Sequence, residues 1–516
     1  MTMHPDIILL VLDTQRLDRL SCYGYTQETT PYIDELASDA TLFRRAYAAA
    51  QWTVPSHASM FTGLYPAQHT MLHASSVLPD TLTTLAERLS EEGYFTAAFC
   101  NNPLLGVVNT GLQRGFHSFL NYSGWMTSRP HQTGGEKRVF DRYRQRFKRG
   151  LAKTLSSMQD IFARSDMLLD LSFSPLMAPF WQTALSFKGN TARSLQDTAK
   201  LHLERRGLEK GQPLFSFVNL MGTHMPYHPP PAFVERFASH VSTDKEARRF
   251  LRHFNSDVFG WMAPLVNNID EKNKAMLDTM YNAEVAQQDE LLGAFFKQLR
   301  VSGALDHTLL IICADHGEHL GEKQLMGHSI SLYDTLVHVP LIIRDPLGNF
   351  PRGTSVDHLV STRRIFHTAL SAAGSSTDAE ETLTLAQGLN GDPDQGSVFA
   401  LGITPQNLLN VMQRRRPDLI QARHLDQPRR AVWHERHKLI QTGDDELELF
   451  DIVDDPQENV DLQHILPEMV ETLRAYLLNF DQHMYNIPRG DLAEVPAAAI
   501  NDPQVYRRLH DLGYLE

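Results

Sequence analysis

Ile7-Ile-Leu-Leu-Val-Leu-Asp13 opens the chain with an unbroken apolar run that ends in an acid. A run that is apolar at every position fits a strand covered on both faces, the pattern of a parallel sheet. Three more such runs follow, Thr96-Ala-Ala-Phe-Cys100, Phe215-Ser-Phe-Val-Asn-Leu220 and Thr308-Leu-Leu-Ile-Ile-Cys313, with Val339-Pro-Leu-Ile-Ile343 a shorter one. Helical patterns lie between them. One spans Thr81 to Glu92. Another spans Ala275 to Val301, where Ala283, Val285, Leu291, Leu292, Phe295 and Leu299 form an apolar stripe. Strands alternating with helices predict an α/β fold: a mostly parallel central sheet flanked by helices. Ligands of such sheets bind beyond the carboxyl ends of the strands. Polar residues at those ends are therefore candidates: Asp13, Asn101, Asn102, His224, Asp315 and His316.

At 516 residues the chain exceeds one simple core. The strand–helix rhythm is expected to occupy residues 1–375 as one catalytic domain, with an insert at about 124–188. The insert begins basic, from Arg129 to Lys153, and ends apolar in Leu176-Met-Ala-Pro-Phe-Trp181. It reads as a solvated helix followed by a packed one, or as a lid or docking surface. Residues 376–516 are expected to form a smaller α+β subdomain. Ala431-Val-Trp-His434, His437-Lys-Leu-Ile-Gln441 and Glu446-Leu-Glu-Leu-Phe450 alternate like antiparallel strands, and a helix over Pro467 to Phe480 would cover them.

Composition narrows the partners. Hydrophobic residues make up 42% and charged residues 21%, an ordinary soluble balance. A net charge of -13 argues against a broad nucleic-acid footprint, which needs a basic face. It leaves room for a small anionic substrate, because a bound metal can supply local positive charge. The three cysteines, Cys22, Cys100 and Cys313, lack the spacing of a zinc site and the density of a disulfide scaffold. A reduced, cytoplasmic protein is expected, with no transmembrane segment. A homo-oligomer is compatible with the sequence.

Four pieces carry chemistry. Asp13 at a strand's carboxyl end can bind a hard cation, although such an Asp is commonly a helix cap. In Gln51-Trp-Thr-Val-Pro-Ser-His-Ala-Ser-Met-Phe-Thr-Gly63, Pro55 places Thr53 in the first turn of a helix. A hydroxyl there faces unpaired N–H groups and the positive end of the dipole. In Cys313-Ala-Asp-His-Gly-Glu318, Asp315 and His316 can both reach one metal. His224 and His328 sit in Met221-Gly-Thr-His-Met-Pro226 and Met326-Gly-His-Ser329.

Together these pieces resemble the sulfatase family, within the alkaline phosphatase superfamily, in order and spacing. Thr53-Val-Pro-Ser-His-Ala-Ser-Met-Phe-Thr-Gly63 is similar to the signature Cys/Ser-x-Pro-Ser-Arg-x-x-x-x-Thr-Gly. Leu20-Ser-Cys-Tyr-Gly24, Thr29-Thr-Pro-Tyr-Ile-Asp-Glu-Leu36, Tyr281-Asn-Ala-Glu-Val285, Ala314-Asp-His-Gly-Glu318 and Leu449-Phe-Asp-Ile-Val-Asp-Asp-Pro-Gln-Glu-Asn459 resemble further blocks. The resemblance covers nearly the whole chain except the insert. It implies an alkaline-phosphatase-like fold and a metal-dependent hydrolase of phosphate, phosphonate or sulfate esters.

The departures redirect the expected chemistry. The family's nucleophile is a formylglycine made from the signature's cysteine or serine; here that position is Thr53. The signature arginine is His57, placed with the substrate-binding residues. The first acidic pair is Asp13-Thr14, the usual Lys-x-His is Asn101-Asn102-Pro103, and the usual Asp-Asn pair is Asp315-His316. This altered set resembles phosphonate monoester hydrolases and phosphodiesterases, in which a catalytic lysine occupies the position of His328. The resemblance implies one divalent ion on Asp13, Asp315 and His316, with Mn2+ ahead of Mg2+, Ca2+ or Zn2+. Thr53 would attack, Asn101 or Asn102 and His224 would bind substrate oxygens, and His328 or His224 would protonate the leaving group. Arg16 and Asp18 would support the site. A sulfuric ester hydrolase, a phosphoryl transferase to an alcohol, and a catalytically dead binding protein are the alternatives.

Overall fold

Successive residues of the first strand, β1 (Asp6–Leu12), point into two different cores. Ile7, Leu9 and Val11 join one apolar cluster, and Ile8, Leu10 and Leu12 join another on the opposite face. That two-faced burial explains the unbroken apolar run and makes β1 a central strand. The computed structural model describes residues 4–122, 131–132, 165–172, 188–256, 261, 269–387 and 396–484. Most of the expected insert at 124–188 lies outside these residues.

The central sheet has nine strands: β1, β2 (Thr41–Phe43), β3 (Phe95–Cys100), β4 (Ser118–Asn121), β5 (His131–Gln132), β6 (Leu214–Leu220), β7 (Thr308–Cys313), β8 (Leu341–Arg344) and β9 (Thr354–Val356). Their order across the sheet is β9-β2-β8-β7-β1-β6-β3-β4-β5. Strands β7, β1, β6, β3 and β4 run parallel. The short apolar run at 339–343 becomes β8, which is antiparallel to β7. Pro340 cannot donate to a ladder, and the strand begins only after it.

Helices cover both faces. On one side lies α1 (Thr53–Thr62), whose ten residues are all buried. On the other lie α2 (Thr191–Glu204) and α4 (Glu271–Val301), with Leu195, Ala199, Leu292, Phe295 and Leu299 in the second cluster. A further helix, α3 (Lys245–Ser256), packs Leu251 and Phe254 near α4. The helix expected from Thr81 starts later, at Leu85, because Thr84 and Glu87 form a capping box that sets its first turn. Among the described residues no helix is long and apolar enough to cross a membrane.

A separate antiparallel sheet follows, in the order β10 (Ser397–Gly402), β11 (Arg429–His434), β12 (His437–Thr442) and β13 (Glu446–Asp451). One face packs Val398, Ala431, Trp433 and Ile440 against Tyr47 and Leu336 of the larger unit. The other packs Val432, Leu439 and Leu449 against α5 (Pro467–Met484). Lys438 pins the first contact. It is wholly buried and donates to Leu332 O at 2.7 Å, Asp334 Oδ1 at 2.7 Å and Glu458 Oε1 at 2.6 Å. Removing one partner of such a group leaves buried charge uncompensated. Lys438→Met is therefore expected to cost roughly 3–5 kcal/mol in calorimetric unfolding. A loss under about 1 kcal/mol would show that the cluster relaxes freely.

Candidate metal centre and nucleophile

Four parallel neighbours deliver the site. Asp13 follows β1, Asn102 follows β3, His224 follows β6, and Asp315 and His316 follow β7. In β-sheet order these strands are adjacent, so their carboxyl ends converge. Asp13, Asp315 and His316 present ligand atoms within 4.8 Å of one another.

Each candidate ligand is oriented by a partner that occupies its other atom. Asp13 Oδ2 accepts from Asn102 Nδ2 at 2.7 Å and Asn219 Nδ2 at 3.5 Å. Asp315 Oδ1 accepts from the backbone N–H of His316 at 3.0 Å and of Thr14 at 3.3 Å. The Thr14 backbone lies in the left-handed region, with φ 61°. His316 Nδ1 lies 2.9 Å from its acceptor, Gly317 O, which puts the proton on Nδ1 and leaves the Nε2 lone pair facing Asp315 Oδ2 at 3.4 Å. Asp13 Oδ1 and Asp315 Oδ2 are buried with no hydrogen-bond partner among the described residues. Two orphaned carboxylate oxygens and one imidazole lone pair, aimed at a common point, fit a divalent cation.

Electrostatics agree. Burial first, and then the charge of Asp315, push Asp13 up to about 8. Burial first pushes Asp315 to about 8 as well. Both values lie above the ordinary carboxyl range. The metal-free fold is thus favoured at low pH and loses stability as pH rises through that interval. A cation competes with these protons. The melting-temperature gain on adding Mn2+ should therefore grow from pH 6 to pH 8. A gain that is flat or falls over that range would show the carboxylates already ionised without metal.

Thr53 begins α1, whose entry residue Trp52 provides no side-chain cap. Its Oγ1 lies 3.4 Å from His316 Nε2 and 3.4 Å from Asn102 Nδ2. Asn102 Oδ1 accepts from Leu104 N at 2.9 Å, so its amide N–H2 must face Asp13 and Thr53. Ser56 Oγ donates to Asp315 O at 2.7 Å and ties α1 to the end of β7. The helix ends at Gly63, φ 72°, where a Cβ would lie 2.7 Å from His367 Nε2.

The other candidates are placed as follows. His57 is wholly buried. Its Nδ1 lies 2.9 Å from Thr53 O and 3.4 Å from Asp315 Oδ2, and its ring meets Phe61 and Phe217. It thus sits under α1, behind Thr53. Asn101 turns aside and donates to Thr191 Oγ1 at 3.3 Å, so of the two asparagines Asn102 is the one at Thr53. His224, His328 and His316 form a row, with ring centroids 5.0 and 4.5 Å apart. Arg16 is buried, pairs with Asp18 and Glu322 at 2.7 Å each, and donates to Glu318 O at 3.1 Å.

Two further residues belong to the site, and a third, Lys188, lies beside it. Glu318 Oε1 lies 2.8 Å from His328 Nδ1. Thr223 Oγ1 donates to Asp13 O at 2.8 Å. Lys188 Nζ pairs with Glu284 at 2.7 Å, and the charge of Glu318 also acts on it. Glu318 follows the Asp-His pair in the chain and was legible as a candidate from that adjacency. Thr223 and Lys188 carry no sequence signal.

A sequence model of the sulfatase family matches residues 5–375. The chain is 24% identical over 401 residues to an arylsulfatase of Clostridium perfringens, covering 74% of this chain and 78% of that one. It is also 24% identical over 405 residues to a Delta 4,5-hexuronate-2-O-sulfatase of Bacteroides thetaiotaomicron, covering 76% and 73%. Its fold is similar to that of the phosphonate monoester hydrolase of Agrobacterium radiobacter, with a TM-score of 0.65, 20% identity, and 93% and 96% of the two chains covered. The family match over most of the chain, on an alkaline-phosphatase-like fold, is decisive: the chain belongs to the sulfatase family of ester-hydrolysing enzymes.

Proposed function

We propose that the protein hydrolyses singly charged phosphoryl esters, phosphodiesters or phosphonate monoesters, with Thr53 as nucleophile. The observation that carries this reading is the setting of Thr53 Oγ1. It lies at the uncapped start of a buried helix, 3.4 Å from both His316 Nε2 and Asn102 Nδ2. Asp13, Asp315 and His316 would hold one divalent cation, Mn2+ for a site that mixes carboxylate and imidazole. When bound, such an ion supplies positive charge that favours the Thr53 alkoxide and the phosphoryl oxygens.

The chain's own residues do the rest. Asn102 Nδ2 and the free N–H groups of α1 bind the non-bridging oxygens. Thr53 Oγ1 releases its proton to solvent and attacks phosphorus, the P–O bond to the leaving alcohol breaks, and a Thr53 ester forms. His328 delivers the proton to the leaving oxygen from Nε2 while Nδ1 takes up the proton of Glu318 Oε1. Burial, and then His316 and His319, hold its imidazole well below the usual range, while burial raises Glu318. Both shifts oppose a separated charge pair, so one proton serves Oε1 and Nδ1 across 2.8 Å. His224 donates from Nδ1 to Met225 O, and burial lowers it to about 3. It is therefore neutral, its Nε2 lone pair accepts a hydrogen bond from the water that cleaves the Thr53 ester, and that water's proton passes to the departing Thr53 Oγ1. His57 holds Thr53 and Asp315 in register from behind.

The nucleophile also favours phosphorus over sulfur. A formylglycine hydrate expels sulfate by collapsing to its aldehyde; a threonine sulfate ester has no such exit and must be cleaved by water. The test is kcat/KM on matched aryl esters, namely phosphodiester, phosphonate monoester, phosphomonoester and sulfate. The first two should exceed sulfate by roughly 10-fold or more. Sulfate turning over fastest, dependent on Thr53, would overturn the substrate assignment.

A further inference from the structure

The loop that leaves β6 reaches beyond the reacting centre. Thr223 holds the Asp13 carbonyl, and His224 meets His328. Four residues on, His228 reaches Arg252 of α3, with Nδ1 3.4 Å from Nη1. On the near side Lys188 Nζ donates to Gly222 O at 2.9 Å and to Glu284 Oε1 at 2.7 Å. The His228 backbone N–H donates to the same Glu284 oxygen at 2.6 Å. Lys188, His228 and Arg252 are 7, 9 and 3% exposed.

The protonation of His228 follows from its neighbour. Arginine has no acceptor, so Nδ1 must accept from Arg252 and the ring proton sits on Nε2. That Nε2–H is buried and has no acceptor among the described residues. The hydroxyl of Tyr227 is likewise buried without a partner, and Lys188 Nζ lies 5.6 Å from the centre of its ring. Two unanswered hydrogen-bonding groups thus lie beside two cationic side chains. Burial, and then the positive charges of Arg252 and Lys188, drive His228 well below its usual range, so the ring stays neutral and Nε2–H remains a donor. A buried donor without an acceptor destabilises the fold until something accepts from it. An oxyanion answers the buried donors and their cationic neighbours together.

We propose that Tyr227, His228, Arg252 and Lys188 form a subsite for a second anionic group of the substrate, a carboxylate, sulfate or phosphate carried on the leaving alcohol. The assignment to the leaving group rests on the reading of His328 and His224 given above, because the loop runs to the subsite from their side of the centre. Nothing in the hydrolysis itself requires these four residues.

The test is a matched pair of aryl phosphonate esters whose phenol carries a 4-carboxylate or a 4-carboxamide. The wild-type protein should favour the carboxylate ester in kcat/KM by at least roughly tenfold. His228→Phe and Arg252→Met should each erase that preference while kcat/KM for the carboxamide ester stays within about twofold. Equal turnover of both esters by the wild type overturns the proposal, and needs no variant to fold. Variants that lower both esters alike, with the preference intact, also overturn it and make the cluster structural. Free benzoate that lifts the carboxamide ester to the rate of the carboxylate ester would assign the subsite to a free anion and overturn the substrate-borne reading. If neither ester is turned over, the proposed function fails by itself. The subsite is then decided by calorimetric binding of 4-carboxyphenylphosphonate against its carboxamide: a preference for the former supports it, and equal binding overturns it.

Discussion

Thr53→Ala should lower kcat/KM by roughly 10^3-fold or more while leaving the protein folded. The size follows from the role proposed for Oγ1. Without it no covalent ester forms, and the remaining groups can only bind and polarise the substrate. The small structural effect follows from the contacts. The hydroxyl's two side-chain partners both lie at 3.4 Å, so their loss costs at most about 1 kcal/mol. The Thr53 backbone carbonyl, which holds His57, survives the change. Thr53→Ser should restore most of the rate, because serine keeps the oxygen at the same helix terminus. Rapid quench with a labelled phosphonate would show a protein-bound phosphorus group in the wild type and none in Thr53→Ala. Activity within threefold of wild type in Thr53→Ala would remove Thr53 from the nucleophile's role and leave water as the direct attacker.

Asp13→Asn should be as damaging to activity and opposite in its effect on the metal-free fold. Asp13 contributes one of the two orphaned carboxylate oxygens, and an amide oxygen in its place is neutral. Loss of one charged ligand from three should weaken metal binding by roughly 10^2-fold and abolish turnover at micromolar metal. In the metal-free protein, burial pushes Asp13 and Asp315 both up to about 8, and the charge of Asp315 adds to the shift of Asp13. Since the folded values lie above the ordinary ones, this destabilisation appears as pH rises towards 8. Asparagine removes it. The melting temperature of metal-stripped Asp13→Asn should exceed that of metal-stripped wild type at pH 8, and the difference should shrink at pH 5. A variant that is less stable than wild type at pH 8 without metal would show that the Asn102 and Asn219 bonds to Asp13 matter more than the carboxylate repulsion.

Much of this was legible in the residue order. The parallel strands announced themselves because burial on two faces leaves no polar position from Ile7 to Leu12 in β1 or from Leu309 to Cys313 in β7. Pro55 and Gly63 bracket α1 for local reasons: one suits a first turn, the other adopts the left-handed cap. Asp315 and His316 follow an unbroken strand, and a strand end in a parallel sheet points at ligand. The orientation of β8 was not legible, since an apolar run of a few residues reads the same in either direction. The start of the helix at Leu85, by contrast, is written locally in the capping box Thr84-Leu-Ala-Glu87, which the apolar pattern from Thr81 overran. Asn101 and Asn102 could not be separated in the sequence. They are adjacent, and only the turn after β3 sends one towards Thr191 and the other towards Asp13.

The sequence by itself determined the family, the central parallel strands, which strand ends carry acids and imidazoles, and the helix start that carries the threonine, because each of these is written in local periodicity or in a contiguous motif. Tertiary structure alone decided which atoms of those residues are left unanswered. Asp13 meets Asn102 across 89 positions, Thr14 meets Asp315 across 301, and Lys188 meets Glu284 across 96. Such pairs leave no trace in spacing, since strand order within the sheet, and not separation along the chain, sets which ends lie together. The orphaned oxygens at the metal centre and the unanswered donor at His228 exist only once every other partner has been placed, and hydrogen bonds are placed by the fold as a whole.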